Sequence, residues 1–183
     1  MATTKLRELA NPPRLQKILN LLIGKKVNVF QSINFYKGSQ QAAHSDTIHM
    51  TTFPLGFMIA VWIALEDTTF ENGPLSYYPE SHKLPYVLNN DIDNEGNAWL
   101  TGGKSYHIYE EVLAKKLTTT QLTKEVFLAK KGDVLIWHAN LLHGGEPIIN
   151  PEITRKSMVM HYFAEDVISY HEYTQRPALI RTA

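Results

Sequence analysis

Apolar side chains recur at spacings of three and four residues near the start of the chain. This spacing covers Leu6 to Leu9 and then Pro13 to Ile23, and it is typical of amphipathic helices. Proline is favoured in the first turn of a helix, and glycine is favoured just past the last turn, where Gly24 stands. Residues 1–24 are therefore predicted to form a helical N-terminal segment.

From Lys26 onward apolar and polar positions alternate, and β-branched and aromatic residues become frequent. This alternation is typical of strands that bury one face. Turn signals such as Asn72-Gly73-Pro74 and Gly144-Gly145 separate these stretches. One further helix is predicted at Tyr106 to Lys116. The predicted strands are Lys26 to Tyr36, Phe57 to Asp67, Leu75 to Tyr78, Glu125 to Ala129, Asp133 to Trp137 and Lys156 to Ala164.

These elements predict a mainly β protein, a sandwich or barrel with the N-terminal and peripheral helices packed outside it. A chain of 183 residues fits one domain, taken as residues 1–183 with a core at residues 26–164. The segment Asn89 to Ser105 has the least regular pattern and is predicted to be a mobile loop over a site.

Composition and charge narrow the classes of function. With 18 basic and 18 acidic residues, the chain has no global attraction to nucleic acid or to an anionic membrane, so a small molecule is the expected partner. It has no apolar signal core and no apolar run long enough to span a bilayer, and we expect a cytoplasmic protein. The oligomeric state is left open, with a homodimer as one alternative. Because cysteine is absent, a tightly held metal must be bound by histidine, carboxylate or backbone oxygen.

Two residues that can bind a metal stand one apart in His44-Ser45-Asp46. In an extended segment, side chains two apart point to one face, so both could reach one ion. A ferrous site of this kind needs a third protein ligand and keeps open positions for other ligands. The favoured third ligand is His143, which follows a strand and precedes two glycines that allow a close backbone approach. His138 is the alternative third ligand, and a solvated turn without metal is the alternative for His44 and Asp46.

A basic residue and a hydroxyl lie together further along the chain. Arg155 and Ser157 share a face if the last long strand has begun, and this pair suits a carboxylate bound through two hydrogen bonds. An arginine on an otherwise apolar strand needs such a partner, because an unpaired buried charge is costly. A surface position is the alternative for Arg155. His161 shares the parity of Arg155 and is predicted to point inward, whereas His171 is predicted to be exposed.

The order of these motifs resembles one family. His44-Ser45-Asp46, the strand with Trp62, "NGPLSYYPESHK", "KKGDVLIWHANLLHGG" and Arg155 resemble the phytanoyl-CoA dioxygenase family of iron(II)- and 2-oxoglutarate-dependent oxygenases. The resemblance runs from Val27 to Phe163. It implies a double-stranded β-helix, which is a cupin-like jelly roll, in agreement with the strand prediction.

The resemblance also implies a set of site residues. His44, Asp46 and His143 would be the iron ligands and the catalytic centre. Arg155, helped by Ser157, would pair with the far carboxylate of 2-oxoglutarate. Trp62 would line the pocket of this co-substrate, with a plain core position as the alternative.

The implied reaction is hydroxylation of a small organic substrate, which consumes O2 and releases succinate and CO2. Related halogenases replace the carboxylate ligand by a small residue, and the presence of Asp46 therefore favours hydroxylation. Two positions depart from the family pattern: Ser45 stands where glutamine is frequent, and Gly145 where serine is frequent. Either change could cost a hydrogen bond to the co-substrate. Two other functions stay open: a non-catalytic jelly-roll binding module with a degenerate metal site, and a cupin-like metalloenzyme that does not use 2-oxoglutarate.

Overall fold

The computed structural model describes residues 8–92, 106–174 and 176–177. Helix α1 spans Pro13–Ile23 and helix α2 spans Tyr106–Thr118. Short 3-10 helices occupy Asp46–Ile48, Ser81–Lys83 and Asn89–Ile92. The strands are β1 Val27–Phe35, β2 Thr51–Phe53, β3 Met58–Ala64, β4 Leu75–Tyr77, β5 Glu125–Phe127, β6 Val134–His138, β7 His143–Gly145, β8 Ser157–Ala164, β9 Ile168–His171 and β10 Arg176–Pro177.

Each predicted strand overlaps an observed strand, with β6 extending one residue further to His138, and both long predicted helices are present. The short strands β2, β7, β9 and β10 were not predicted. In the predicted helical stretch Leu6 to Leu9, residues 8 and 9 are helical together with residue 10, and residues 6 and 7 lie outside the described residues. Most of the predicted loop from Asn89 to Ser105 also lies outside them. Within the described part of the chain, no helix has the length and apolar character needed to cross a bilayer.

Three antiparallel sheets form a jelly roll. The four-stranded sheet has the order β1-β8-β3-β6, and the two three-stranded sheets have the orders β5-β4-β7 and β10-β9-β2. The large sheet and the β4 sheet pack face to face, because Trp62 and Val159 of one contact Leu75 and Phe127 of the other. The fold is mainly β with helices outside it, as the sequence predicts.

The two helices cover different surfaces of the roll. Helix α1 starts at Pro13 and ends at Gly24, whose φ of 74° favours glycine, and its Leu19 is fully buried against the outer face of the large sheet. Helix α2 buries Tyr109 and Leu113 against the segment that follows residue 46. The outer face of the large sheet is therefore closed, and its inner face is left for a cavity.

A register shift in β1 decides which side chains reach that cavity. Val27 and Val29 pack on the α1 side of the large sheet. The pairing of β1 with β8 shifts between Val29 and Gln31, and beyond the shift Gln31, Ile33 and Phe35 line the cavity. A β-bulge inserts one residue and so reverses the face on which later residues point. Without it, all five residues would share one face.

Candidate metal site and adjoining cavity

Three buried side chains come together at one end of the cavity: His44, Asp46 and His143. One ligand atom from each lies within 4.8 Å of the others, and within the described residues this is the one such cluster of histidine, cysteine and carboxylate side chains. His44 and His143 also form an antiparallel β-bridge, in which each backbone N–H donates to the other residue's carbonyl at 2.9 Å. The backbone therefore holds the two imidazoles side by side.

The segment from residue 44 to residue 46 is not a regular strand. Ser45 is extended, but Asp46 begins a 3-10 helix, so the predicted alternation holds only up to residue 45. The Ser45 hydroxyl lies 2.6 Å from the Thr47 hydroxyl and 3.1 Å from that of Tyr109, which also accepts the Ser45 N–H. Ser45 thus faces α2 and not the cavity, and its departure from the family pattern does not alter the cavity wall.

Backbone carbonyls determine the tautomer of both histidines. The Nδ1–H of His44 donates to the carbonyl of Ala42, and that of His143 donates to the carbonyl of Leu141, each at 2.9 Å. A carbonyl oxygen can only accept, so Nδ1 carries the proton in both rings. Each Nε2 lone pair is left free to bind a metal, an arrangement that metal-binding histidines commonly use.

The charges of the cluster suit a divalent cation. Burial, and then the neighbouring His143, lower the pKa of His44 to about 3, so its ring is neutral at physiological pH. For Asp46, burial alone raises the pKa, but the imidazoles of His143 and His161 lower it by more, and the net shift is downward. The cluster therefore offers two imidazoles and one carboxylate, which is the donor set of non-haem iron(II) sites.

The alternative third ligand, His138, does not reach this cluster. Its Nε2 lies 3.3 Å from the carbonyl of Gly56, and its Nδ1 accepts the N–H of Asn140 at 3.1 Å. His49 and His171 both line the cavity, and the expectation that His171 is exposed is wrong, because its side chain is half-buried there.

The two glycines after His143 are needed for a reason other than the expected one. A Cβ at Gly144 would lie 2.7 Å from the carbonyl oxygen of Gln41, and a Cβ at Gly145 would lie 2.5 Å from the Ser39 hydroxyl. Both contacts are closer than real Cβ atoms allow. The glycines therefore accommodate the segment that leads to the first candidate ligand.

The cavity has a volume of about 350 Å³ and runs along the inner face of the large sheet. Val159 and His161 face it from β8, opposite Ile33 and Gln31 of β1. Arg155 lies at the far end and is, among the described residues, the one lysine or arginine that lines the cavity. The histidine cluster and the guanidinium therefore mark two ends of one space.

At the Arg155 end, several buried polar atoms have no hydrogen-bond partner. They are Nε and Nη1 of Arg155, Nε1 of Trp62 and Oγ of Ser157. Arg155 is 2% exposed, and its guanidinium carbon lies 5.6 Å from the ring centres of both Phe35 and Trp62. No carboxylate of the described chain pairs with it. Burial lowers the pKa of Arg155 to about 10, so it stays charged at neutral pH.

An uncompensated buried guanidinium is costly, and an anionic ligand would supply the missing partner. Trp62 lines the cavity. Ser157 is fully buried on β8 but is not among the residues that line the cavity. The three side chains proposed from the sequence for one co-substrate are thus the ones that leave these buried polar atoms unpaired at this end.

Sequence reasoning missed Trp137, which is 4% exposed and lines the cavity beside the histidine cluster. Its Nε1–H donates to Asp46 Oδ2 at 2.8 Å. It also missed Gln31, whose side-chain amide lies 3.2 Å from His161 Nδ1. Strand parity places Trp137 and His138 on opposite faces of β6, but the strand pattern alone does not say which of the two faces the site.

The chain is similar to a known protein family over most of its length. A model of the phytanoyl-CoA dioxygenase (PhyH) family matches residues 2–157. A phytanoyl-CoA dioxygenase domain-containing protein 1 homolog of Dictyostelium discoideum is 29% identical over 70% of this chain and 42% of its own length. The mouse phytanoyl-CoA dioxygenase domain-containing protein 1 is 34% identical over 42% of this chain and 28% of its own length. The matched region spans less than half the length of these relatives.

Solved structures share the fold at low sequence identity. The non-haem α-ketoglutarate-dependent carbocyclase SnoK from nogalamycin biosynthesis gives a TM-score of 0.72 at 20% identity, over 98% of this chain and 69% of its own. The epimerase SnoN from the same biosynthesis gives 0.66 at 22% identity, over 97% and 63%. EctD from S. alaskensis with 2-oxoglutarate and 5-hydroxyectoine gives 0.64 at 23% identity, over 92% and 55%.

Proposed function

The chain belongs to the phytanoyl-CoA dioxygenase family, and from this premise we propose that it is an iron(II)- and 2-oxoglutarate-dependent oxygenase that hydroxylates a small organic substrate. The reaction would consume O2 and release succinate and CO2. The structural neighbours include an epimerase and a carbocyclase, so the jelly roll alone does not decide among these reaction outcomes. Hydroxylation rests on the carboxylate at residue 46, as argued from the sequence.

His44, Asp46 and His143 would bind the iron through Nε2, a carboxylate oxygen and Nε2. Their backbone and side-chain contacts already hold these atoms toward a common point. Three protein ligands leave open positions on a six-coordinate ion for co-substrate and oxygen. Iron(II) with bound 2-oxoglutarate would supply O2 activation and the oxidising power, and the chain supplies placement and shielding.

Arg155 would bind the far carboxylate of 2-oxoglutarate, with the hydroxyl of Ser157 and the N–H of Trp62 as the nearby donors. The observation that carries the proposal is the set of unpaired polar atoms around this buried guanidinium, in the same cavity as the histidine–aspartate cluster. A guanidinium favours a carboxylate because its planar N–H groups can make two parallel hydrogen bonds. Phe35 and Trp62 flank it and would keep water away.

The substrate is proposed to be a small molecule that enters beside His49, Met50 and His171, which line the cavity near the metal cluster. A cavity of about 350 Å³ must hold both the co-substrate and the reacting part of the substrate. Apart from Arg155, no lysine or arginine of the described residues lines it, so no phosphate-binding cluster favours an acyl-CoA.

A spectroscopic experiment tests the proposal directly. Addition of iron(II) and then 2-oxoglutarate to the protein without oxygen should produce a visible metal-to-ligand charge-transfer band. His44→Ala should abolish the band, whereas His138→Ala, which changes a histidine outside the cluster, should keep it. The absence of a band in the unaltered protein would favour a non-catalytic binding module.

A turnover assay distinguishes the proposed oxygenase from a cupin-like metalloenzyme that does not use 2-oxoglutarate. Oxygen-dependent succinate release should occur with candidate metabolites and should collapse in Arg155→Ala. A cupin-like metalloenzyme that does not use 2-oxoglutarate would instead keep its turnover in that variant and release no succinate. A screen of metabolites for stimulated succinate release would also narrow the substrate class.

A further inference from the structure

Trp137 contacts two of the three proposed metal ligands. Its Nε1–H donates to Asp46 Oδ2 at 2.8 Å, and its ring lies 4.6 Å from that of His143, centre to centre. Building on the proposed function, we propose that Trp137 is a positioning residue that holds Asp46 as a one-oxygen ligand of the iron. The indole N–H donates to the second carboxylate oxygen and would so keep this oxygen from binding the metal.

The two oxygens of Asp46 have different surroundings. Oδ1 lies 3.6 Å from His143 Nε2, the atom that is free to bind a metal. Oδ2 accepts the Trp137 N–H and lies 3.6 Å from His161 Nε2. The carboxylate is therefore divided, with Oδ1 directed to the ligand cluster and Oδ2 held by the protein.

This division determines how many metal positions stay open. A carboxylate can bind a metal through one or both oxygens, and binding through both would use one more position of a six-coordinate ion. A chelating co-substrate and O2 together need three positions, which are available only if each protein ligand supplies one atom. An indole N–H suits the task because it is a donor only and cannot itself bind the ion.

The strand geometry explains why an indole fits at this point. Trp137 pairs with Ala60 of β3, whose small side chain leaves room for the large ring on the inner face of the sheet. His138, the next residue, points to the opposite face. Asp46 is anchored in turn, because its N–H donates to the carbonyl of Ala139 at 2.9 Å. The same segment of chain therefore positions both the carboxylate and its donor.

A pair of tryptophan variants tests the proposal, with Co(II) alone as the metal probe. In Trp137→Phe, which keeps a ring but removes the N–H, the dissociation constant for Co(II) should rise by about 10–100-fold, the usual cost of losing an outer hydrogen bond to a metal ligand. Trp62→Phe also removes a buried N–H but has no contact with Asp46. It should keep the Co(II) affinity of the unaltered protein and weaken 2-oxoglutarate binding instead.

The coordination itself gives a second measurement. The visible d–d spectrum of Co(II) should change in Trp137→Phe, because Asp46 becomes free to bind through both oxygens, and it should stay the same in Trp62→Phe. A folded Trp137→Phe protein with an unchanged Co(II) affinity and spectrum would overturn the proposal. A role in packing alone would lower the melting temperature without changing the spectrum.

A measurement on the unaltered protein covers the case in which Trp137→Phe does not fold. With diamagnetic Zn(II) bound, the Trp137 indole proton should exchange slowly with water in ¹H–¹⁵N spectra, and Asp46→Ala should shift its signal and speed its exchange. Rapid exchange with no response to Asp46→Ala would refute the hydrogen bond. These readouts do not need 2-oxoglutarate, so failure of the proposed function, seen as no charge-transfer band, is distinguishable from failure of this inference.

Discussion

The two ends of the cavity differ in whether their buried polar groups have hydrogen-bond partners within the protein. At the metal end, the Nδ1 atoms of His44 and His143 donate to backbone carbonyls, and Asp46 accepts from Trp137. At the other end, Arg155, Trp62 and Ser157 keep buried polar atoms without partners. The chain itself holds the polar groups of the metal end, whereas the Arg155 end has unpaired atoms that, in our proposal, 2-oxoglutarate would pair.

This difference has an energetic meaning. Hydrogen bonds within the protein fix the ligand atoms before any ion binds, which lowers the cost of ordering them on binding. An unpaired buried charge, in contrast, destabilises the free protein and makes the partner that relieves it correspondingly favourable. We therefore expect substitutions at the metal end to change metal affinity, and those at the Arg155 end to change 2-oxoglutarate affinity, with little exchange between the two.

The largest expected effect is the loss of a metal ligand. His143→Ala should weaken Co(II) binding by more than about 100-fold, because even the loss of an outer partner of a ligand costs about 10–100-fold. Isothermal titration of the metal-free protein measures this. His138→Ala is the matched control and should bind Co(II) normally, and equal losses in the two variants would contradict the assignment of the metal end.

The next effect concerns the guanidinium. Arg155→Ala should raise the dissociation constant for 2-oxoglutarate by at least about 30-fold, since truncating one partner of a buried charge pair costs about 2–5 kcal/mol. The measurement uses Co(II)-loaded protein, which binds the co-substrate without turning it over.

Co(II) affinity should stay unchanged in Arg155→Ala. Arg155→Lys keeps the charge but loses the planar guanidinium. Its dissociation constant for 2-oxoglutarate should lie between those of the unaltered protein and of Arg155→Ala. A parallel loss of metal and 2-oxoglutarate binding would show that the two ends are not independent.

In the metal-free protein, His44 at the metal end should make stability depend on pH in the acidic range, whereas Arg155 should not. The pKa of His44 is lowered to about 3 from 6.5, so between these values the unfolded chain binds one more proton than the folded one. The free energy of unfolding should therefore fall as the pH falls from 6.5 toward 3, by up to about 1.4 kcal/mol per pH unit.

Urea unfolding between pH 3 and pH 6.5 measures the slope of the free energy of unfolding against pH. His44→Gln should reduce this slope by the amount that one bound proton contributes. An unchanged slope would argue against a buried neutral His44. The Arg155 end should contribute nothing to this slope, because the pKa of Arg155 stays near 10.

The smallest expected effect is at Ser157. Ser157→Ala should weaken 2-oxoglutarate binding by about fivefold, the equivalent of one hydrogen bond worth about 1 kcal/mol. The effect should be modest because Ser157 does not line the cavity. Co(II) affinity should not change. If 2-oxoglutarate binding is also unchanged, the Ser157 hydroxyl has a packing role only.

Much of the fold was predictable because its strands are runs of apolar, β-branched and aromatic residues separated by turn signals. The strands around Trp62 and Met160 are buried on both faces of the large sheet, and their β-branched and aromatic residues identify them without any partner information. His44, Asp46, His143 and Arg155 were likewise visible as residue types that need a partner. The structure brings the first three together and places the fourth in the same cavity.

The remaining features depend on contacts that no local pattern encodes. The shift after Val29 brings Gln31 to the cavity, whereas unbroken alternation would place both on the α1 side. Trp137 was not identified because the sequence leaves open whether Trp137 or His138 faces inward. The pairing of β6 with β3 decides this. The need for Gly145 comes from Ser39, far away in sequence, so only the folded chain reveals it.

The β-bridge between His44 and His143 joins distant parts of the chain, and this has a consequence for how the protein unfolds. Contacts of such long range are costly to close and tend to form late in folding. An ion held across the bridge therefore stabilises the native state more than the transition state, and we expect it to slow unfolding while leaving the folding rate nearly unchanged. Metal supply would then set the lifetime of the folded protein as well as its chemistry.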